Sequence, residues 1–144
     1  MLLEFLKFIK KQNDYVIYHY ASYERTHLKT MMKKYEIDEA TKKTVLDHLI
    51  DVHKVATDSV AFPTYGNGLK QIAAYLDFRW RHKDVSATES IAMYLDYVDN
   101  PEEGKVKLQK IIDYNEDDCI ATRVIKDWLV SLLQEDDNED KRSF

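Results

Sequence analysis

Asp118 is a carboxylate in the middle of an apolar helical stripe. Alternating steps of three and four from Ile111 reach Tyr114, Asp118, Ala121, Ile125, Trp128 and Leu132. That spacing lines one core-facing side of a helix. An ionised carboxylate buried without a partner is strongly disfavoured, so Asp118 sits edge-on to solvent, is protonated, is paired, or binds a metal ion. A second acid, Glu24, follows a β-prone run at residues 15–20. It falls at the C-terminal end of that strand, where ligands of α/β sheets bind. If the late helix covers the sheet, Glu24 and Asp118 converge. Converging carboxylates repel unless protonated or bridged by a cation. Oxygen-only ligands suit Mg²⁺ or Mn²⁺ rather than zinc. Two such ions about 4 Å apart clamp the attacking and leaving oxygens of a phosphodiester. Tyr114, one turn before Asp118, is placed to orient the attacking water. The competing reading makes Asp118 a boundary residue hydrogen-bonded to a neighbouring backbone.

Cations and aromatics that could hold a nucleic acid lie between these acids. Lys70 suits a phosphate, or is an ordinary surface lysine. Arg79, Trp80 and Arg81 combine charge with a stacking surface for single-stranded nucleic acid; Trp80 fits a core role equally well. Lys29, Lys33, Lys34, Lys42 and Lys43 form a second basic stretch, which reads as a solvated face. Asp113, Glu116 and Asp117 read as solvated or helix-start acids, Asp51 as structural, and Cys119 as a small core residue. The five histidines lack metal-ligand spacing, and no glycine-rich phosphate loop is present.

The elements that must position these residues are mostly helical. The chain has 144 residues, three Gly, two Pro and a formal net charge of −5, which fits one soluble helix-rich domain rather than a disordered chain. A negative balance disfavours a nonspecific nucleic-acid binder unless its cations are localised. One cysteine excludes an internal disulfide and fits a reducing cytoplasm. No apolar run approaches the roughly 20 residues of a membrane span, and residues 1–9 carry Glu4 and Lys7, unlike a signal peptide. The pattern predicts a short first helix, the strand at 15–20, and a helix opened by Ser22. A helix over 39–53 follows, then a short one from Leu69. Ser86 and Glu89 form a capping box, and Asn100-Pro101 starts a last helix running to about 133, with a break near 113–115. A lone strand needs a partner; either a weak second strand lies at residues 59–62, or most of the sheet lies elsewhere. Residues 135–144 form an acidic, polar tail expected to be disordered.

Tyr114-Asn115-Glu116-Asp117-Asp118-Cys119, followed by Asp127-Trp128-Leu129, resembles the third motif of the ribonuclease H-like DEDD exonuclease superfamily. More narrowly it is similar to the domain of YprB-type proteins and RecB-family-like nucleases. Tyr18-His19-Tyr20-Ala21-Ser22-Tyr23-Glu24 resembles the second motif, and Gly68-Leu69-Lys70-Gln71-Ile72 the intervening leucine-lysine helix. The resemblance covers nearly the whole chain. It implies an α/β, DnaQ-like ribonuclease H fold over residues 1–134, with one or two strands present. It further implies Mg²⁺- or Mn²⁺-dependent 3′–5′ phosphodiester cleavage of DNA or RNA. Asp118 and Glu24 would be metal ligands, and Tyr114 the tyrosine four residues before the last acid. The superfamily's usual second-motif residue is Asp, not Glu. Its first motif, Asp-x-Glu, is not found before the strand, so the fold is expected to be incomplete and the activity weak or absent in this chain alone. The expected partners are single-stranded or 3′-terminal nucleic acid, no membrane, and either an upstream nuclease portion or a second copy at an exposed sheet edge. The alternative is a non-catalytic nucleic-acid-binding or protein-interaction module derived from the same fold.

Overall fold

The computed structural model describes the backbone of residues 1–140 and the side chains of residues 1–134. The side chains of the tail expected at 135–144, and all of 141–144, lie outside the described residues. The chain packs as two compact units, Met1–Pro63 and Thr64–Phe144. No helix is long and apolar enough to cross a membrane among the described residues.

In the first unit, α1 (Leu2–Ile9) buries Leu2, Leu6 and Ile9, the spacing of one helix face. They join Met32 and Val45 in a core against which Ile17, Leu28 and Leu46 pack. Strand β1 (Ile17–His19) pairs in parallel with β2 (Leu49–Asp51), placing Ile17 opposite Leu49 and His19 opposite Asp51. A parallel pair needs a long crossover, supplied here by α2 (Tyr23–Lys34) and α3 (Glu39–Asp47). Asp38 caps α3 by accepting from the Thr41 N–H at 2.8 Å. With two strands among the described residues, each strand keeps one unpaired edge.

The helix expected over 39–53 is therefore divided. α3 stops at Asp47, β2 follows, and α4 occupies Val52–Ser59. His48 makes the break. Its Nδ1 hydrogen-bonds the Thr44 carbonyl, its ring stacks on Tyr15 at 4.4 Å, and its carbonyl accepts from the Ile17 N–H at 2.8 Å. Tertiary pairing turns a helix-compatible apolar run into the missing strand. The second strand is thus at 49–51 and not at 59–62, where Ser59 ends α4 and residues 60–62 pair with no strand.

Asp51 joins the end of β2 to the turn after β1. Its Oδ1 accepts from the Ala21 N–H at 2.9 Å and from the Lys54 N–H at 3.3 Å, the latter capping α4. Ala21 has φ 62°, a left-handed conformation that disfavours a Cβ. The His19 ring Nδ1 lies 2.6 Å from the Ala21 carbonyl and donates to it. Both polar groups of the strained residue are held, and the turn delivers the chain into α2.

In the second unit, α5 (Leu69–Tyr75), α6 (Ala87–Asp99) and α7 (Pro101–Asp140) follow in order. Ser86 caps α6 through the Glu89 N–H at 3.3 Å, and Pro101 occupies the first position of α7, where its missing N–H is harmless. A Cβ on Gly104 would lie 2.5 Å from Tyr97 Cα, so α6 and α7 close upon a glycine. Ile72, Ala73, Val85, Ala121, Ile125 and Leu129 are buried. α7 is continuous, with no break at 113–115. Asp113 spends its carboxylate on His82 and Gln109 instead of competing for its own helix backbone.

Asp51→Ala removes a helix cap and leaves the Ala21 N–H without its acceptor. It should destabilise the fold by about 1–3 kcal/mol in urea denaturation, and an unchanged midpoint would show that the clamp contributes nothing.

Candidate active site

The segment between α5 and α6 is held along α7 by side chains from four of its residues. The Trp80 indole N–H donates to Asp118 Oδ1 at 2.8 Å. Arg81 donates to Asp117 twice, from its backbone N–H to Oδ2 at 2.8 Å and from Nε to Oδ1 at 2.9 Å. It also reaches the Asp113 carbonyl at 2.9 Å and Glu116 Oε2 at 2.6 Å. His82 Nε2 meets Asp113 Oδ2 at 2.8 Å, and Asp84 pairs with Lys110 at 2.8 Å. Asp113 is held below the usual carboxylate range, chiefly by the His82 hydrogen bond and then by Gln109.

Asp113, Glu116 and Asp117 are thus not free acids. Asp117, expected to be solvated, is 3% exposed. The signal was their i, i+3, i+4 spacing, which puts all three on one helix face toward a neighbouring arginine. Cys119, expected in the core, is exposed, because it lies on the side of α7 away from Ala121 and Ile125.

Asp118 is the unneutralised member of this group. Half-buried, its carboxyl is pushed above the ordinary 3.8 mainly by burial, with the Trp80 hydrogen bond and the charge of Lys70 opposing. Lys70 Nζ lies 4.7 Å from the Tyr114 ring centre and 5.7 Å from that of Trp80. It also donates to the Val85 carbonyl at 3.2 Å. Tyr114 is raised by burial and then by the Asp118 charge, so it remains a neutral phenol, able to donate its proton.

Lys70, Trp80, Tyr114 and Asp118, singled out from sequence, are therefore brought together. Lys70, Phe78, Arg79 and Trp80 also line a cleft of about 240 Å³. Arg79 is directed to the Ala74 and Phe78 carbonyls, whereas Arg81 is committed to the acids of α7. Glu24 lies in the other unit, exposed in the first turn of α2.

The donor chemistry of Asp118, a hard carboxylate oxygen, suits Mg²⁺ or Mn²⁺. The number of donors does not complete a site. Among the described residues no group of three His, Cys, Asp or Glu side chains is arranged to hold a metal ion.

The sequence model of the RNase H superfamily matches residues 1–130, taking in both units. The chain belongs to the RNase H superfamily. Neither a curated protein nor a solved structure matches it. Membership supports a nuclease-like α/β fold, in keeping with the parallel strand pair and its helical crossover.

Two expectations follow from these contacts. The folded-state pKa of Asp118 lies above its unfolded value, so its ionised form costs stability once pH rises through that folded value. Asp118→Asn should raise the melting temperature slightly at neutral pH, the gain shrinking as pH falls below the ordinary carboxylate range. Equal melting temperatures at every pH would contradict the burial cause. Arg81→Ala should lower the melting temperature by leaving Asp117 without its side-chain donor, and Arg81→Lys should recover only part, since one ammonium cannot replace a guanidinium fork. Full recovery by lysine would show that charge alone suffices.

Proposed function

We propose that this RNase H superfamily domain is a metal-dependent 3′–5′ exonuclease unit acting on single-stranded or 3′-terminal DNA or RNA, with Asp118 as its late-motif acid. The observation that carries this reading is Asp118 itself. Its neighbours Asp113, Glu116 and Asp117 are each paired to an arginine, a histidine or both, while Asp118 is left half-buried, raised in pKa, and fixed at one oxygen by Trp80. A charged group kept half-buried at a cost is a functional-site hypothesis with a physical rationale.

The roles follow from the contacts. Trp80 orients Asp118 and leaves its second oxygen for a ligand. Tyr114, a neutral phenol, donates a hydrogen bond to a water or a phosphate oxygen. Lys70 opposes the charge of a phosphoryl group. A divalent ion, when bound, would supply charge neutralisation and activate a water. Asp118 would hold it. With few ligands, ion affinity and activity of the chain alone should be weak. The cleft lined by Lys70, Arg79 and Trp80 favours a second reading, a module that binds nucleic acid without cutting it.

Cleavage of 3′- and 5′-labelled DNA and RNA oligonucleotides in Mn²⁺ decides between the two. Shortening from the 3′ end, lost with chelator, is expected. Asp118→Asn should lower the rate by at least the roughly 10–100-fold that loss of a metal's outer partner costs, and should remove calorimetric Mn²⁺ binding. Binding without cleavage would select the second reading, and cleavage that survives Asp118→Asn would remove Asp118 from the mechanism.

A further inference from the structure

The first unit carries a basic groove that the nuclease motifs do not use. A cleft of about 590 Å³ runs between α2 and α3. Arg25, Lys29 and Lys33 line it at four-residue intervals on α2, about 6 Å apart along the axis. Lys42 and Lys43 face them from α3, above a floor that includes the fully buried Met32.

This stripe differs from the solvated faces elsewhere in the chain. Exposed lysines on other helices sit beside acids one turn away, as in Lys54 with Asp58 and Lys105 with Glu102. The two acids of the groove are likewise taken by lysines of their own helix, Glu39 by Lys42 and Asp47 by Lys43. Arg25, Lys29 and Lys33 have no ion pair or side-chain hydrogen bond among the described residues. Glu36, one turn after Lys33, lies beyond the helix end and makes no ion pair among them either. Like charges at i, i+4 destabilise a helix, so the stripe costs stability until an anion lies along it. The chain's overall charge is −5, which makes the concentration of cations in this groove the more distinctive.

A row of separate positive charges, with no aromatic side chain lining the cleft, matches a row of phosphates rather than bases or one planar anion. We propose that the α2–α3 groove binds the sugar-phosphate backbone of single-stranded nucleic acid, independently of sequence. This rests on the nucleic-acid reading above and adds a binding track in the first unit, built from residues outside the acid-bearing motifs.

The test is fluorescence anisotropy of the full chain with labelled oligothymidine and oligouridine, in chelator, across a salt series. Each phosphate contact contributes about 0.7 to the log–log salt slope for single strands. R25E/K29E/K33E should therefore lose about 2 from that slope and bind at least ~10-fold more weakly at low salt. K7E/K54E/K105E, with the same change in net charge, should keep the wild-type slope. R25Q/K29Q/K33Q removes the repulsion and should fold at least as well as wild type by circular dichroism while still losing slope. Equal losses in the groove and control variants would overturn the proposal. So would competition by inorganic phosphate at the same charge concentration, or a preference for anionic vesicles over oligonucleotides. Groove binding without cleavage would leave this inference standing and remove the nuclease reading. Cleavage and binding unaffected by the groove variants would do the reverse.

Discussion

A carboxylate that is 3% exposed must be met by donors, and Asp117 is met by two from Arg81. Much of the second unit's arrangement depends on that requirement. The backbone N–H of Arg81 fixes the path of the chain between α5 and α6, and its guanidinium spans the face of α7 from Asp113 to Asp117. Trp80 and His82, on either side, are thereby placed against Asp118 and Asp113. An irregular segment makes few backbone hydrogen bonds of its own, so side-chain pairs set its position. The exposed pairs of this group are worth little individually. The buried one matters because an unpaired Asp117 would be far costlier than a paired one.

The first unit solves a comparable problem with less charge. A two-stranded parallel sheet is marginal by itself, so its stability comes from the apolar core around Met32 and Val45 and from polar groups at the strand ends. Asp51 serves a helix cap and a strained alanine with one oxygen. His19, opposite it in register, holds the alanine carbonyl. The turn that leads to Glu24 is therefore over-determined by the sheet, which is how an unfavourable φ persists.

Periodicity made the Asp118 stripe legible, since Ala121 and Ile125 are indeed buried with Asp118 on the same face. The starts of α6 and α7 were legible because Ser86, Asn100 and Pro101 act locally. Residues 49–51 were not, because helix and strand both accept Leu49-Ile50, and only pairing with Ile17 decides between them. The uses of Asp113, Glu116 and Asp117 were hidden for another reason. Their partners lie more than thirty positions earlier, and no local pattern fixes which loop crosses the helix.

Asp117 and Asp118 are the same residue at successive positions, yet they have opposite fates. A helix turns about a hundred degrees per residue, which carries Asp117 under Arg81 and Asp118 toward Trp80, Tyr114 and Lys70. An indole N–H is a single neutral donor and cannot cancel a carboxylate's charge. Lys70 could, but its ammonium is hydrogen-bonded to the Val85 carbonyl and stands over the Tyr114 ring, where it lowers the Asp118 pKa without reversing the effect of burial. The result is a carboxylate whose charge is partly offset and whose orientation is fixed. Full neutralisation would make it a second Asp117, stable and inert. Full exposure would give it no field to act with. A ligand-binding acid needs the state between, and two residues of equal chemistry reach different states only because each faces a different neighbour.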